Sequence, residues 1–195
     1  GHRFWFGPGS APVLDADGQY RSRAFLFGPH GLLGHQDKLI MTRCEREEWN
    51  IAGGREGLRT FATPLGTLGI LICYDTEFPM LARQLAEAGV DLLLAPSCTD
   101  TEAGYHRVRI GSQARALENQ LPVLVSATAG MASWRPSVDV HYGRAAMYVP
   151  ADRGTPANGR PCASGRAFHA ASRWLIGQID AAAAAWLRRQ GRRQR

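Results

Sequence analysis

The sequence predicts an α/β protein. Strand and helix patterns alternate along it, the stretches on either side of residues 78–88 are apolar on both faces, and the segment between them has one apolar helical face. Residues 7–19 are rich in Gly, Pro, Asp and Ala and read as a loop. Residues 20–27 alternate in part and carry aromatics, as a strand does, and residues 28–34 are a turn-rich connection. Residues 58–63, 64–66 and 67–72 read as strand, turn, strand, and the run Leu68-Gly69-Ile70-Leu71-Ile72 has the character of a buried central strand. In residues 78–88, Phe78, Leu81, Ala82, Leu85 and Ala86 share one helix face, and Gly89 is a natural stop. Residues 90–95 are a second buried strand, so 67–96 form a strand–helix–strand unit with a right-handed crossover. Residues 104–120 read as a helix, 121–127 as a third buried strand, and 144–149 and 174–179 as further strands. From Asp180 the chain reads as helix, helped by the alanine run 181–185.

Length and composition narrow the class. A chain of 195 residues, 45% apolar and 21% charged, suits one globular domain, placed at residues 1–187. No apolar run approaches the roughly 18 residues that span a bilayer, and residues 1–13 lack a signal-peptide pattern. The net charge of +6 is concentrated in a basic tail, 188–195, holding Arg188, Arg189, Arg192, Arg193 and Arg195. Without those five arginines the body is close to neutral, so the tail reads as a solvated end and the chain as binding neither nucleic acid nor membrane. Cys44, Cys73, Cys98 and Cys162 form no C-x-x-C pair and no zinc-type spacing, which suits free thiols in a cytoplasmic protein with no metal. The chain opens Gly-His-Arg-Phe-Trp-Phe without Met and reads as the middle of something. Of 23 basic residues only Lys38 is lysine. An ammonium is a compact charge that can also give up a proton, where guanidinium cannot, so a position that resists an arginine bias marks a candidate site.

Cys73 is the candidate nucleophile. It follows the buried strand and precedes the helical segment, where a rigid junction can hold it, a helix N-terminus lowers a thiol pKa, and backbone N–H groups can receive an oxyanion. A small buried thiol is the plainer reading, and context decides against it. Leu-Gly-Ile-Leu-Ile-Cys-Tyr-Asp-Thr-Glu-Phe-Pro, residues 68–79, resembles the nitrilase superfamily motif in which a buried strand ends in Cys-Tyr-Asp and Phe-Pro follows. His35-Gln36-Asp37-Lys38-Leu39-Ile40-Met41 resembles that family's lysine motif, and Glu45, four residues before Trp49, resembles its second acidic residue. The strand ending Ala95-Pro96-Ser97, the helix Arg115-Ala116-Leu117-Glu118-Asn119 and the loop at Ala129-Gly130 resemble later family features in the same order, so the likeness runs over residues 20–180.

The resemblance implies an αββα sandwich with its first strands and helices missing from this sequence. It implies a hydrolase of non-peptide carbon–nitrogen bonds, amide, carbamoyl or nitrile, with the amidase-type branches resembled more than true nitrilases. Cys73 would form a thioester, Lys38 would stabilise the oxyanion, Glu45 would help hold Lys38, and Tyr74, Ser97 and Cys98 would meet substrate. No cofactor is implied, and family members form homodimers or larger assemblies. The departure is the general-base Glu, which in the family lies upstream of the lysine: no Glu precedes Glu45, and Asp37, adjacent to Lys38 on a strand, points to the opposite face. A chain with these motifs and no base is expected to be poorly active alone, or else to be an inactive homologue serving as an oligomeric scaffold. The six histidines show no spacing suited to a Cys–His dyad; His106 reads as a local hydrogen-bonding group, Arg115 and Glu118 as a structural pair, and Trp134 and Tyr142 as pocket or dimer-surface aromatics.

Overall fold

Two sheets pack face to face, with helices outside the larger one. The computed structural model describes residues 4–134, 138–152, 154–163 and 175–179. The smaller sheet runs β1 (Ser10–Leu14), β2 (Tyr20–Gly28), β3 (Gly31–Asp37), with β4 (Ile51–Ala52) pairing parallel to the start of β2. β1 falls inside the segment read as a loop. It is an edge strand with Ser10, Ala11, Pro12 and Leu14 exposed, so it carries no apolar alternation and is held by main-chain pairing to β2. The connection read at 28–34 is also shorter than expected: the chain turns at Pro29-His30 and pairs again from Gly31.

The larger sheet has the order β12-β11-β8-β7-β6-β5. Its centre is parallel: β6 (Gly66–Ile70), β7 (Leu92–Ser97) and β8 (Val123–Ala127). β5 (Thr60–Thr63) pairs antiparallel to β6, and β11 (Ala146–Tyr148) and β12 (Cys162–Ala163) extend the far side antiparallel. The both-faced apolar strands explain the centre: Leu68, Ile70, Leu71, Ile72 and Leu93 are all almost fully buried. Ala24 and Leu26, alternate residues of β2, belong to the same core, which places the inner face of the small sheet on the large one.

The opposite face of the large sheet is covered by α2 (Pro79–Glu87) and α3 (Glu102–Asn119). Gly69 of β6 leaves room for Leu85 of α2, since a Cβ there would lie 3.1 Å from its Cδ1. α3 is opened by the Thr101 hydroxyl, which accepts from the Gly104 N–H, and closed by Gln120 in the left-handed region, φ 53°. The remaining helix, α1 (Arg43–Glu47), buries no residue. Two short strands, β9 (Gly130–Met131) and β10 (Val140–His141), pair beyond β8. The strand read at 174–179 does not form over its described part, 175–179: Ile176 is 90% exposed, and no described strand pairs with the segment. Trp174 and the helix read from Asp180 lie outside the described residues, as does the basic tail.

One close approach ties α3 to the turn that begins at Cys73. A Cβ on Gly111 would lie 2.8 Å from the Thr76 carbonyl oxygen, and the neighbouring Arg115 Nη1 donates to that same oxygen at 3.0 Å. Gly111→Ala is therefore expected to lower stability by about 1–3 kcal/mol, the usual effect of forcing atoms into a packed contact, read as a shift in the urea midpoint at unchanged slope. An unshifted midpoint would mean that α3 can move off the turn freely.

Candidate active site

Cys73 stands just past β6, where the strand direction is prolonged by a bond from the Leu71 N–H to the Leu94 carbonyl. Its backbone is left-handed, φ 49°, a conformation that a side chain with a Cβ rarely adopts. The bend turns the chain into a 3₁₀ turn over Cys73–Glu77, and α2 starts only at Pro79. The thiol is therefore not seated on the N-terminus of α2, and the pKa depression expected from that helix does not appear. Burial instead pushes the Cys73 thiol up, opposed by the Lys38 ammonium and by the Cys98 carbonyl, to which Sγ donates at 3.4 Å.

Lys38 comes from the other sheet. Its peptide is pinned on both sides: its N–H donates to the Ser22 carbonyl at 2.8 Å, and its own carbonyl accepts from Gly54 N–H at 2.8 Å. The side chain is almost fully buried, and Nζ donates to both Glu45 oxygens, at 2.6 and 2.5 Å. Glu45 is the third residue of α1 and closes a capping box: Thr42 N–H and Oγ1 both donate to its Oε2 at 2.8 Å. Of the three glutamates near position 45, only this one reaches Lys38; Glu47 pairs with Arg43 and Arg46 at the surface. Asp37 turns to the opposite face, where Arg23 holds it.

Asp75 joins the two halves. Its carboxylate accepts from the backbone N–H groups of Leu39 at 3.3 Å, Ile40 at 2.9 Å and Ile72 at 3.3 Å. The first two follow Lys38 and the third precedes Cys73, so one buried side chain fixes lysine and cysteine relative to each other. Burial pushes Asp75 up to about 6, against those N–H groups and Lys38. Sequence reasoning quoted Asp75 inside the Cys-Tyr-Asp motif and gave it no task.

The remaining candidates divide. Tyr74 is half-buried and stacks edge-on against Phe78 at 5.0 Å. Ser97 is buried, donates to the Ala95 carbonyl at 3.2 Å, and lines a cavity on the α3 side of the sheet. Cys98 is exposed, and its Sγ lies 3.3 Å from His141 Nδ1, which is also 2.8 Å from Thr128 Oγ1. This corrects the expectation of no Cys–His pairing: 43 residues separate the two, and only the fold brings β10 across the end of β7. His106 lies 3.8 Å from Glu102 and 3.5 Å from Arg109 Nη1, the local role expected of it, and Arg115 pairs with Glu118. Trp134 is 81% exposed, and the Tyr142 N–H bonds to the Thr99 carbonyl. Among the described residues no group of three or more His, Cys, Asp or Glu could hold a metal ion, and no helix is long and apolar enough to cross a membrane.

Comparison with known proteins gives a family and the same fold. The family model for carbon-nitrogen hydrolases matches residues 5–178. The probable hydrolase YhcX of Bacillus subtilis (strain 168) is 38% identical over 144 residues, 74% of this chain and 28% of that protein. The deaminated glutathione amidase of Yersinia enterocolitica is 30% identical over 137 residues, 65% of this chain and 48% of that one. Among solved structures, the C. elegans NitFhit protein superposes with a TM-score of 0.77 at 22% identity, covering 97% of this chain and 45% of that one. Saccharomyces cerevisiae Nit3, a member of branch 10 of the nitrilase superfamily, gives 0.69 at 23% identity over 85% of this chain and 57% of its own. The chain thus spans between a quarter and a half of the two curated relatives.

Proposed function

Because the chain belongs to the carbon–nitrogen hydrolase family, we propose that it hydrolyses a small amide, carbamoyl or nitrile substrate through a thioester on Cys73. The observation that carries this is a cysteine in a left-handed backbone tied, through the N–H bonds of Asp75, to the strand end that bears the buried Lys38–Glu45 pair. In the amide case the Cys73 S–H gives its proton to a base and the thiolate adds to the amide carbon. The oxygen that becomes negative is stabilised by the Lys38 ammonium. The nitrogen leaves as ammonia or amine, taking up the proton, and water then cleaves the thioester to a carboxylic acid and the free thiol. Glu45 is the positioning residue for Lys38, and Tyr74, Ser97 and Cys98 are assigned to the surroundings of the substrate.

The base is the weak point of this chain. Glu45 already accepts two bonds from Lys38 and two from Thr42, and Asp75 accepts three N–H groups. Neither is bonded to Cys73, whose thiol donates instead to the Cys98 carbonyl. This favours a second reading, an inactive homologue acting as an oligomeric scaffold, and it predicts slow ammonia release by the chain alone. Fluoroacetamide separates the two, because displacement of fluoride needs a seated thiolate and little else. A Glu-to-Gln mutant of the amidase from Nesterenkonia sp. AN1 shows covalent addition of its acetamide moiety at the active-site cysteine. For this protein one acetamide is expected on Cys73, mapped by peptide mass spectrometry and absent in Cys73→Ser. Because the Cys73 thiol is raised, labelling should still be climbing with pH where an ordinary thiol has levelled off. Labelling confined to exposed Cys98 and Cys44 would point to the scaffold.

The proposal extends to assembly and place. Met80 on α2 and Ile110 and Leu117 on α3 are exposed apolar residues on the outer helices, and a homodimer or larger homo-oligomer would cover them. Residues 1–187 act as one such domain, and the unbonded thiols Cys44, Cys73 and Cys98 suit a cytoplasmic location.

A further inference from the structure

Behind the nucleophile's neighbour Cys98 lies a cavity that the proposed chemistry does not use. It opens between α3 and the ends of β7, β8 and β11 and is lined in part by Ser97, Thr99, Arg109, Arg144 and Tyr148. Among the described residues no acidic one lines it. The Nε atoms of Arg109, Arg144 and Arg160 are buried and have no hydrogen-bond partner among the described residues. Tyr148 is 2% exposed, so its phenol is taken out of water at the same place. Burial and then the Tyr105 phenol push the Tyr148 phenol up, and the charges of Arg160, Arg109 and Arg144 oppose them. The sequence supplies little to neutralise them: residues 119–179 hold six arginines and two aspartates.

Partly buried guanidinium groups whose Nε atoms lack a partner gain from an anion, and their planar forks fit carboxylate or phosphate oxygens. We propose that this cavity is an oxyanion-binding site, taking one carboxylate or phosphate group between Arg109, Arg144 and the Tyr148 hydroxyl. Ser97 and Thr99, which flank Cys98, bring the site to within one residue of the backbone that meets Cys73. The same chemistry could come from the far end of an acidic amide substrate or from a free anion. The site does not depend on Cys73 being catalytic.

The test is binding rather than turnover. The full chain is titrated with sodium phosphate and with sodium acetate at constant ionic strength, following the thermal midpoint. A saturable rise is expected, weakened about tenfold or more by Arg144→Gln, the usual loss when one charge-assisted fork is removed. In anion-free buffer Arg144→Gln is expected to melt above the parent, since it removes an uncompensated cation; Tyr148→Phe should fold normally and weaken the anion only a few-fold. A small, unsaturable response that is the same in parent and Arg144→Gln, with no gain in midpoint for the variant, would overturn the site. Saturable binding supports it from either source, and glutaramate against pentanamide tells them apart. A midpoint rise with glutaramate that pentanamide does not give and that Arg144→Gln abolishes assigns the carboxylate to substrate, whereas phosphate binding without a response to either amide assigns a free anion.

Discussion

Lys38→Met is expected to slow acylation of Cys73 by about 10²–10³-fold, the range seen when one donor to a developing oxyanion is removed. Two losses combine. The oxyanion loses the ammonium, and the thiol loses the charge that opposes burial, so less thiolate is present at any pH. The measurement is the burst of p-nitrophenol from p-nitrophenyl acetate at alkaline pH, where thiolate forms without a dedicated base. The same change should cost about 3–5 kcal/mol of stability, because it leaves the Glu45 carboxylate, 13% exposed, without its cation. Adding Glu45→Gln to Lys38→Met should return part of that stability and none of the burst rate. If the double variant also recovers the rate, Lys38 serves only to neutralise Glu45, and its assignment to the oxyanion fails.

The parts of this site that could be read in the sequence are those whose signal is local. Lys38 stood out as the one lysine among arginines, and Glu45 by its distance from Trp49; the fold joins the two through a capping box that begins at Thr42. Cys73 was legible because a strand apolar on both faces ends in Cys-Tyr-Asp with Phe-Pro following, a local motif. Its left-handed backbone was not, since nothing in Ile72-Cys73-Tyr74 requires it; packing imposes the conformation. The Cys98–His141 contact had no signal either, because it arises from a crossing of two strand ends 43 residues apart. β1 escaped for a different reason. Its residues are mostly exposed, it carries Pro12 in its interior as an edge strand can, and it is held by main-chain pairing to β2, which leaves no apolar pattern to read. At 174–179 the error ran the other way: the segment reads as a strand, yet none forms over its described part and Ile176 faces solvent. Periodicity reports what a segment could bury, and the fold decides whether a partner surface is there.

Asp75→Asn should uncouple the two halves of the site, with a signature in pH that packing loss alone would not produce. The buried carboxylate has a folded pKa of about 6 against an ordinary 3.8, so between roughly pH 4 and 6 the folded protein keeps a proton that the unfolded chain has released. Stability contributed by this group is therefore complete below about pH 4 and falls as pH rises towards 6, by up to about 3 kcal/mol, then stays level. Asparagine cannot titrate, so the variant's urea midpoint should lack that slope. Above pH 6 the parent has a carboxylate accepting from Leu39, Ile40 and Ile72, whereas asparagine can offer its one oxygen to part of that set and must turn an NH₂ towards the rest. Each N–H left unmet costs about 1–3 kcal/mol, so the variant should be the less stable protein at neutral pH. Its acylation burst should fall with Lys38 still present, since Lys38 and Cys73 would no longer be fixed through one side chain. A parallel pH slope in parent and variant would mean that another group titrates there, and an unchanged burst would mean that the sheets alone hold lysine and cysteine in register.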